Sequence, residues 1–161
     1  MGLNHEFELI EEHSDKVLKE LNIHDDFLNY IDTTIGEENN LFYTVPSINP
    51  DYQEKPYGLV FPEYKGFNYY GVTVFNKHSV SELENMFLQW KDVILSFPTD
   101  VYYYELETMD ETEREKLTLE ELEEVKEKFF DKKDLLNVIE GCLEMVGFIK
   151  DAKYILYHAG I

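Results

Sequence analysis

The chain of 161 residues carries 34 aspartates and glutamates against 14 lysines and arginines, which gives a net charge of −20 at neutral pH. Nucleic-acid backbones and anionic membranes repel such a chain, so we exclude both as direct ligands and expect a basic protein as the partner, although the same charge can also serve solubility alone. The length fits a single domain over residues 1–161, and the aromatic share of 15% is too high for global disorder.

The first third of the chain predicts two helices. Apolar side chains in residues 7–21 recur at helical spacings. A second, shorter helix is expected to begin at Asp25 and to end at Gly36. His24, Asp25 and Asp26 are the densest local group of side chains that bind metals, and we interpret them as a helix start with acidic residues near its positive end.

The middle of the chain has the composition of β-strands. A short β-prone run covers residues 41–45, and two further runs at 57–61 and 67–75 are separated by five residues that include Gly66. This spacing predicts a hairpin. Because both faces of the run 67–75 carry apolar side chains, we expect it to be a central strand that is covered on both sides.

Two capping-box patterns mark helices in the second half of the chain. Ser79 with Glu82 precedes an apolar helical face that should end before Pro98, and Thr118 with Glu121 precedes a shorter one. In this pattern the hydroxyl accepts a hydrogen bond from a free helical N–H, and the carboxylate accepts one from the backbone of the cap residue. Each pair therefore predicts the N-terminus of a helix.

Three further elements complete the second half. Residues 101–107 predict a strand with three consecutive tyrosines, a well-buried helix should begin near residues 131–134, and residues 154–158 predict a last strand. The element order α-α-β-β-β-α-β-α-α-β favours an α+β fold, in which helices pack against a mainly antiparallel sheet of four to five strands.

The sequence also bears on the cellular compartment. Cys142 is the single cysteine, so an internal disulfide is excluded and a reducing environment is expected. The N-terminus has no basic, apolar signal sequence, and Glu6 stands where N-myristoylation of Gly2 requires serine or threonine. No apolar run approaches the roughly 20 residues of a membrane span. We therefore expect a cytoplasmic protein without a membrane partner.

The chain has no recognisable catalytic, cofactor or metal motif. Phosphate-binding glycine loops and the nucleophile elbow are absent, and the five histidines are too dispersed for a zinc motif. Residues 110–121 have an acid at each end, as a calcium loop does, but Glu115 occupies the position that requires glycine. We therefore predict no cofactor, no metal and no enzymatic activity.

The stretch from Glu105 to Glu127 is the main local bias, with eleven acidic residues against three basic ones. It is either a solvated helix face or a docking surface, on which charge speeds the encounter with a basic partner and neighbouring tyrosines act as anchors. On a strand, at least one of the three tyrosines must point away from the other two, toward the core. The candidate partner-binding residues are Tyr102, Tyr104, Glu105, Glu107, Asp110, Glu111, Glu113, Glu120, Glu121 and Glu124.

Three features in the middle of the chain together resemble small bacterial immunity proteins. They are the run YYGVTVF at residues 69–75, the amphipathic helix that contains Trp90, and the tyrosine-rich strand that follows it. Proteins of this kind neutralise toxins delivered between competing cells, and many such toxins are basic nucleases. The resemblance implies an inhibitor of a toxin, and it assigns no binding residue to this chain.

These observations predict a non-enzymatic binding protein. The leading hypothesis is an immunity protein or inhibitor that neutralises a basic toxin, such as a nuclease, through an acidic and aromatic surface. One alternative is a nucleic-acid mimic that occupies a DNA-binding enzyme by presenting carboxylates spaced like backbone phosphates. A second alternative is a small enzyme without a known motif, which would have a deep pocket containing titratable groups of perturbed pKa.

Overall fold

The computed structural model describes residues 3–161 and has the α+β class that the sequence predicts. In chain order the strands are β1 (Asn4–Glu11), β2 (Lys16–His24), β3 (Pro46–Ser47), β4 (Tyr64–Lys65), β5 (Val72–Phe75), β6 (Val101–Tyr102), β7 (Phe130–Asp131) and β8 (Tyr154–Ala159). The helices are α1 (Asp25–Ile35), α2 (Val80–Leu95), α3 (Tyr104–Thr108), α4 (Glu111–Glu115), α5 (Leu119–Lys126) and α6 (Lys132–Phe148), and short 3₁₀ helices lie at Glu37–Asn39, Leu41–Tyr43 and Lys77–Ser79.

Four strands form the main sheet, in the spatial order β2-β1-β8-β5, and every neighbouring pair is antiparallel. The first and last strands of the chain are therefore adjacent, which joins its two ends in one sheet. Two further pairs, β3 with β4 and β6 with β7, are only two residues long. None of the helices in residues 3–161 has the length and apolar character needed to cross a membrane.

The predicted first helix is wrong, because residues 4–24 form the hairpin of β1 and β2. Burial in β1 alternates residue by residue, with His5, Phe7 and Leu9 buried and the residues between them partly exposed. That period of two is a strand pattern, and the helical spacing of the apolar residues was coincidental. The tight turn between the strands places Asp15 at a φ of 57°, a left-handed conformation that aspartate tolerates better than most residues.

The predicted hairpin of residues 57–61 and 67–75 is also wrong. Gly66 and Phe67 donate backbone hydrogen bonds to the carbonyls of Val45 and Phe42, so the second run is tied to the segment before it. The 41–45 run is not a strand, because Leu41–Tyr43 form a 3₁₀ helix and the next two residues form a turn. The backbone at Gly66 has a φ of 81°, a conformation that residues with a Cβ disfavour. Glycine has no Cβ and can adopt it, which permits this route of the chain.

Strand β5 is shorter than expected and has a different place in the sheet. It pairs with one named strand, β8, and its other side has only a bridge between Ile48 and Val74. It is therefore not a central strand. Both of its faces are nevertheless covered as predicted, since Phe75 joins the main core while Val74 packs with Ile48, Tyr57 and other residues in a second, smaller cluster.

The predicted helix behind Ser79 is confirmed as α2, with Trp90 and Ile94 fully buried. Its capping box is not formed, because the Ser79 hydroxyl donates instead to the Pro46 carbonyl at 2.6 Å. The cap at Thr118 is confirmed, since its hydroxyl accepts from the backbone N–H of Glu121 at 3.1 Å.

The remaining strand prediction is only partly correct. Of residues 101–107, just Val101 and Tyr102 are in a strand, and helix α3 begins at Tyr104. Helix α6 begins where predicted, with Asp131 accepting from the N–H of Asp134 at 3.0 Å. The observed element order is therefore β-β-α-β-β-β-α-β-α-α-α-β-α-β, in place of the predicted one.

The main core lies on one face of the sheet. Helices α2 and α6 contact each other there, and α1 contributes Phe27, Leu28 and Ile31. Trp90 is the largest of the fully buried side chains, and it is followed by five phenylalanines: Phe7, Phe27, Phe42, Phe75 and Phe87. This packing leaves α3, α4 and α5 outside the core, because none of them contains a buried residue.

Candidate partner-binding surface

The acidic segment forms an excursion from the core, which we call the acidic arm (residues 103–129). It leaves the core after β6 and returns at β7, where Val101 pairs with Asp131 and Tyr102 with Phe130. No residue of the arm is classed as buried. The arm therefore contributes little to the hydrophobic core, although three helices give it a defined shape.

Caps and one arginine give the arm its local structure. Asp110 accepts from the N–H of Glu113 at 2.8 Å and so begins α4, while Thr118 begins α5. The guanidinium of Arg114 donates to the backbone carbonyls of Leu106 and Glu107 at 2.9 and 3.1 Å, which ties α4 to α3. These contacts satisfy helix ends that the core does not reach.

The eight predicted acidic residues lie on this arm and are exposed, except Glu105, which is half-buried. Glu105 pairs with Lys128 at 3.0 Å, and Glu107 lies 4.0 Å from Arg114. Within residues 3–161, the other six carboxylates form no ion pair. They are Asp110, Glu111, Glu113, Glu120, Glu121 and Glu124.

The two predicted tyrosines occupy different environments. Tyr102 is buried, its ring stacks on Phe97 at 4.6 Å, and its hydroxyl accepts from that of Tyr30. Tyr104 is half-buried, stacks on Phe130 at 4.1 Å, and donates to Asp26 at 3.0 Å. Burial, reinforced by these hydrogen bonds, raises the pKa of both phenols. Both rings hold the root of the arm on the core and offer a partner little surface.

Two apolar side chains of the arm are exposed instead. Leu119, at the start of α5, is 83% exposed, and Phe129 is about half exposed. The capping pattern at Thr118 predicted a helix with an apolar face in this segment, but α5 ends at Lys126, before Phe129. Leu119 is exposed because α5 is short and has no buried residue, so its apolar face has little to pack against.

A second acidic group lies along α1, where Asp25, predicted only as part of a helix start, is joined by residues that the sequence pattern did not connect with it. Asp25, Asn29 and Asp32 are four and three residues apart and so share one helical face. This face borders a cavity of about 480 Å³. We call it the tyrosine–carboxylate cleft, and it is lined by Asp25, Asn29, Asp32, Glu37, Tyr43, Tyr69, Tyr70 and Ile161.

The carboxylates of the cleft are held by hydrogen bonds from neutral donors. Tyr43 donates to Asp32 at 2.7 Å, and the hydroxyl of Tyr69 donates to Asp25. Asn29 also donates to Asp25, at 3.2 Å. Burial and the neighbouring carboxylates raise the pKa of both phenols, so the two tyrosines stay protonated and continue to donate.

A buried pair of histidines lies behind Asp25. His5 is 3.0 Å from Asp25 through Nε2 and 3.0 Å from the Nε2 of His158 through Nδ1. Burial lowers the pKa of His5, and it lowers that of His158 to about 3, so both rings are neutral at pH 7. If Asp25 accepts from His5, then His158 must donate to His5. This assignment leaves the buried Nδ1 of His158 as an unpaired acceptor, the atom that lacks a partner within residues 3–161.

The cleft depends on contacts that are distant in the sequence. The predicted helix start at His24 is confirmed, since its ring accepts from the N–H of Asp26 and Asp25 lies in the first turn. Tyr69, in contrast, comes from a loop beside the C-terminal end of the chain. Gly160 allows this approach, because a Cβ there would lie 2.1 Å from the Tyr69 carbonyl oxygen. Only the spacing of the polar residues on α1 was visible in the sequence.

One further acidic cluster lies on the sheet. Oxygen atoms of Glu6, Glu8 and Glu20 lie within 4.8 Å of one another, close enough for a metal ion to bridge them. Glu8 and Glu20 are direct partners on β1 and β2. Burial, with the charges of the other two residues, raises the pKa of Glu8. Exposed acids in this arrangement are common without a metal, so the cluster alone defines no metal centre.

No protein-family model, curated protein or solved structure matches the chain. The candidate surface is therefore interpreted from its own geometry and charge.

Proposed function

We propose that this protein binds a basic protein through the acidic arm, and that it is an immunity protein or inhibitor that neutralises a basic toxin. The observation that supports the proposal most directly is the exposure of the arm, in which no residue is buried and six of the predicted carboxylates have no ion-pair partner within residues 3–161. A basic surface would supply the missing counter-charges.

The arm is suited to binding because its helices are already formed. The caps at Asp110 and Thr118 fix the helix starts, so the carboxylates have a defined spatial arrangement before a partner arrives. A preorganised surface avoids part of the entropy cost of ordering side chains on association. Complementary charge would steer a basic partner toward this arrangement and select against acidic ones.

Exposed apolar side chains supply a second element of a binding surface. Leu119 and Phe129 are exposed on an arm that is otherwise dominated by charge. Apolar contacts surrounded by polar residues are typical of protein interfaces, where the apolar centre supplies much of the affinity. We include both residues in the proposed surface and leave out Tyr102, because its ring is buried.

The toxin hypothesis rests on the resemblance to immunity proteins together with the charge. Many toxins of competing bacteria are basic nucleases, and an acidic inhibitor is the complementary partner. The proposal places the protein in the bacterial cytoplasm, where a nuclease toxin would act. The fully buried Cys142 needs no oxidising compartment.

The alternative of a small enzyme gains one observation, the polar network at the base of the tyrosine–carboxylate cleft. His5 and His158 are fully buried, however, and their hydrogen-bonded path to the cleft runs through Asp25. A substrate in the cleft would meet carboxylates and protonated phenols, with no activated nucleophile among them. Binding therefore accounts for the geometry better than catalysis does.

Charge reversal on the arm tests the proposal. Glu120, Glu121 and Glu124 are exposed and form no ion pair within residues 3–161, so changing all three to lysine should leave the core intact. If a gene directly upstream encodes a basic toxin domain, we expect the affinity for that domain to fall by at least about 100-fold, because three attractive contacts become repulsive. Calorimetry or surface plasmon resonance would measure the change.

A matched variant controls for the change in total charge. Asp51, Glu54 and Glu63 are also exposed but lie outside the arm and the tyrosine–carboxylate cleft, and their replacement by lysine makes the same change of six charge units. We expect this variant to keep the affinity within about fivefold of the natural sequence. Equal losses in the two variants, or no loss in either, would show that the arm is not the binding surface.

A further inference from the structure

We propose that the tyrosine–carboxylate cleft is a recognition site for an arginine side chain. Its occupant would be an arginine of the basic partner, and that part rests on the proposed function. The arginine site itself follows from the geometry of the cleft. The arginine site and the docking of a partner on the acidic arm can therefore be disproved separately.

The cleft carries negative charge that no neighbouring lysine or arginine pairs with in residues 3–161. Asp25, Asp32 and Glu37 line it, and Asp25 is only 8% exposed. Within residues 3–161, no lysine or arginine forms an ion pair with any of the three, and the histidine beside Asp25 is neutral at pH 7. Negative charge in a partly buried cavity without a counter-ion favours the entry of a cation.

The carboxylates of the cleft keep hydrogen-bond acceptor positions that no group within residues 3–161 uses. A carboxylate offers about four lone-pair positions. Asp25 uses three of them for Tyr69, His5 and Asn29, and Asp32 uses two for Tyr43 and Asn40. The cleft therefore keeps acceptors on two different carboxylates. A guanidinium, with five N–H donors in a planar fork, can reach several of them at once.

An exposed aromatic ring beside the cleft favours arginine over lysine as its occupant. Tyr70 is 78% exposed beside the cleft, and its ring centroid lies 5.1 Å from that of Tyr69. A guanidinium stacks on aromatic faces and is weakly hydrated, whereas an ammonium is compact and strongly hydrated. An exposed aromatic ring at the edge of an acidic cavity therefore favours arginine.

A second cavity lies between the cleft and the acidic arm. Asn29 lines the cleft and also this second cavity of about 310 Å³, which lies between α1 and the arm. Asp26, Tyr104 and Glu105 line this second cavity together with Lys128, which pairs with Glu105 and leaves Asp26 without a lysine or arginine partner within residues 3–161. A partner seated at the root of the arm would therefore border a cavity that shares Asn29 with the cleft.

The experiment titrates the whole protein with small probes and follows backbone and side-chain amide signals by NMR. The probes are N-acetyl-arginine amide, the lysine analogue, and the citrulline analogue, which has nearly the same shape without the charge. We expect saturable shifts around Asn29 and Tyr70 with the arginine probe, weaker ones with lysine, and none with citrulline. Equal effects of the citrulline probe, or shifts scattered over the acidic surface, would overturn the proposal.

Two variants locate the site. Tyr70→Ala should weaken binding of the arginine probe about threefold, and Asp32→Asn about tenfold, because they remove the stacking partner and one charged acceptor. Tyr52→Ala and Asp51→Asn are the matched controls, since both residues are exposed and lie outside the cleft. Undiminished binding in the first two variants, with an unchanged fold by NMR, would exclude the cleft.

The outcome is separable from that of the proposed function. If the arginine probe fails to bind while charge reversal on the arm abolishes partner binding, only the cleft proposal is wrong. If the probe binds the cleft while arm variants keep full affinity for the toxin domain, the cleft stands as an arginine site and the arm is not the docking surface.

Discussion

At the scale of single residues, the buried histidines couple stability to pH. Both rings are neutral in the folded protein because burial lowers the pKa of His5 and lowers that of His158 to about 3. In the unfolded chain each ring takes up a proton below its ordinary pKa of about 6.5. The unfolded state therefore binds more protons in acid, and the stability that is present above pH 6.5 is lost as the pH falls.

We expect the free energy of unfolding to fall by about 2 kcal/mol between pH 8 and pH 5 from His158 alone. Urea unfolding over a pH series, followed by the fluorescence of the single tryptophan Trp90, measures it. His158→Gln keeps a donor for His5 but cannot titrate, so its pH dependence should be shallower. An equal slope in the two proteins would contradict the assignment.

The same residues show which contacts cannot be predicted from local sequence patterns. His5, Asp25 and His158 come from the two ends of the chain, and no spacing rule links positions more than 150 residues apart. Asp25 was recognised correctly as part of a helix start. Its contacts with His5 and Tyr69 were not foreseeable, because the first depends on β1 pairing with β2 and the second on the loop that the C-terminal Ile161 holds in place.

Among the secondary-structure elements, the N-terminal hairpin of β1 and β2 places like charges opposite each other. Glu8 and Glu20 lie directly opposite each other on β1 and β2, with Glu6 nearby. Like charges opposite each other on paired strands are destabilising. Burial, and after it this repulsion from Glu20 and Glu6, raises the pKa of Glu8. The hairpin forms nonetheless, because Phe7, Leu9 and other residues of its opposite face are buried in the core.

Replacing Glu20 by lysine should relieve this repulsion and provide an opposite-charge pair with Glu8. We expect the protein to become more stable by roughly 0.5 to 1 kcal/mol at pH 7, measured by urea unfolding. Glu54→Lys, an exposed change of the same charge away from the sheet, corrects for the general effect of lowering the net charge. If Glu20→Lys gave no more stability than this control, the cross-strand repulsion would be negligible.

The elements also show which sequence signals are dependable here. Helices α2 and α6 are long and bury an apolar face, so their periodicity identified them. The cap at Thr118 was identified because it is a local interaction. Ser79 has the same pattern but bonds to Pro46, more than thirty residues away, so a tertiary contact replaces the cap. In the hairpin, a sheet period was mistaken for a helical one.

At the scale of the whole molecule, the net charge of −20 acts against compaction. Folding brings like charges together, and the resulting self-repulsion destabilises the folded state. Salt screens these interactions, with a Debye length of about 30 Å at 0.01 M and about 10 Å at 0.1 M. Stability should therefore depend on ionic strength.

We expect the free energy of unfolding to rise by about 1 kcal/mol when NaCl is increased from 10 mM to 0.5 M. Trp90 fluorescence in urea reports it at each salt concentration. Association with a basic partner should respond in the opposite direction, with a slower on-rate at high salt. A stability that falls or stays constant as salt is added would show that self-repulsion is unimportant in this fold.

The α+β class, the long helices, the helix starts at residues 24–26, 118–121 and 131–134, and the acidic character of residues 105–127 could all be predicted from the sequence alone. These properties follow from composition and from interactions between near neighbours along the chain. Tertiary structure decided the hairpin, the place of β5 at the side of the sheet, the burial of Tyr102, and the assembly of the tyrosine–carboxylate cleft. Each of these depends on which distant segments share a surface, and packing of the core, rather than local preference, selects those partners.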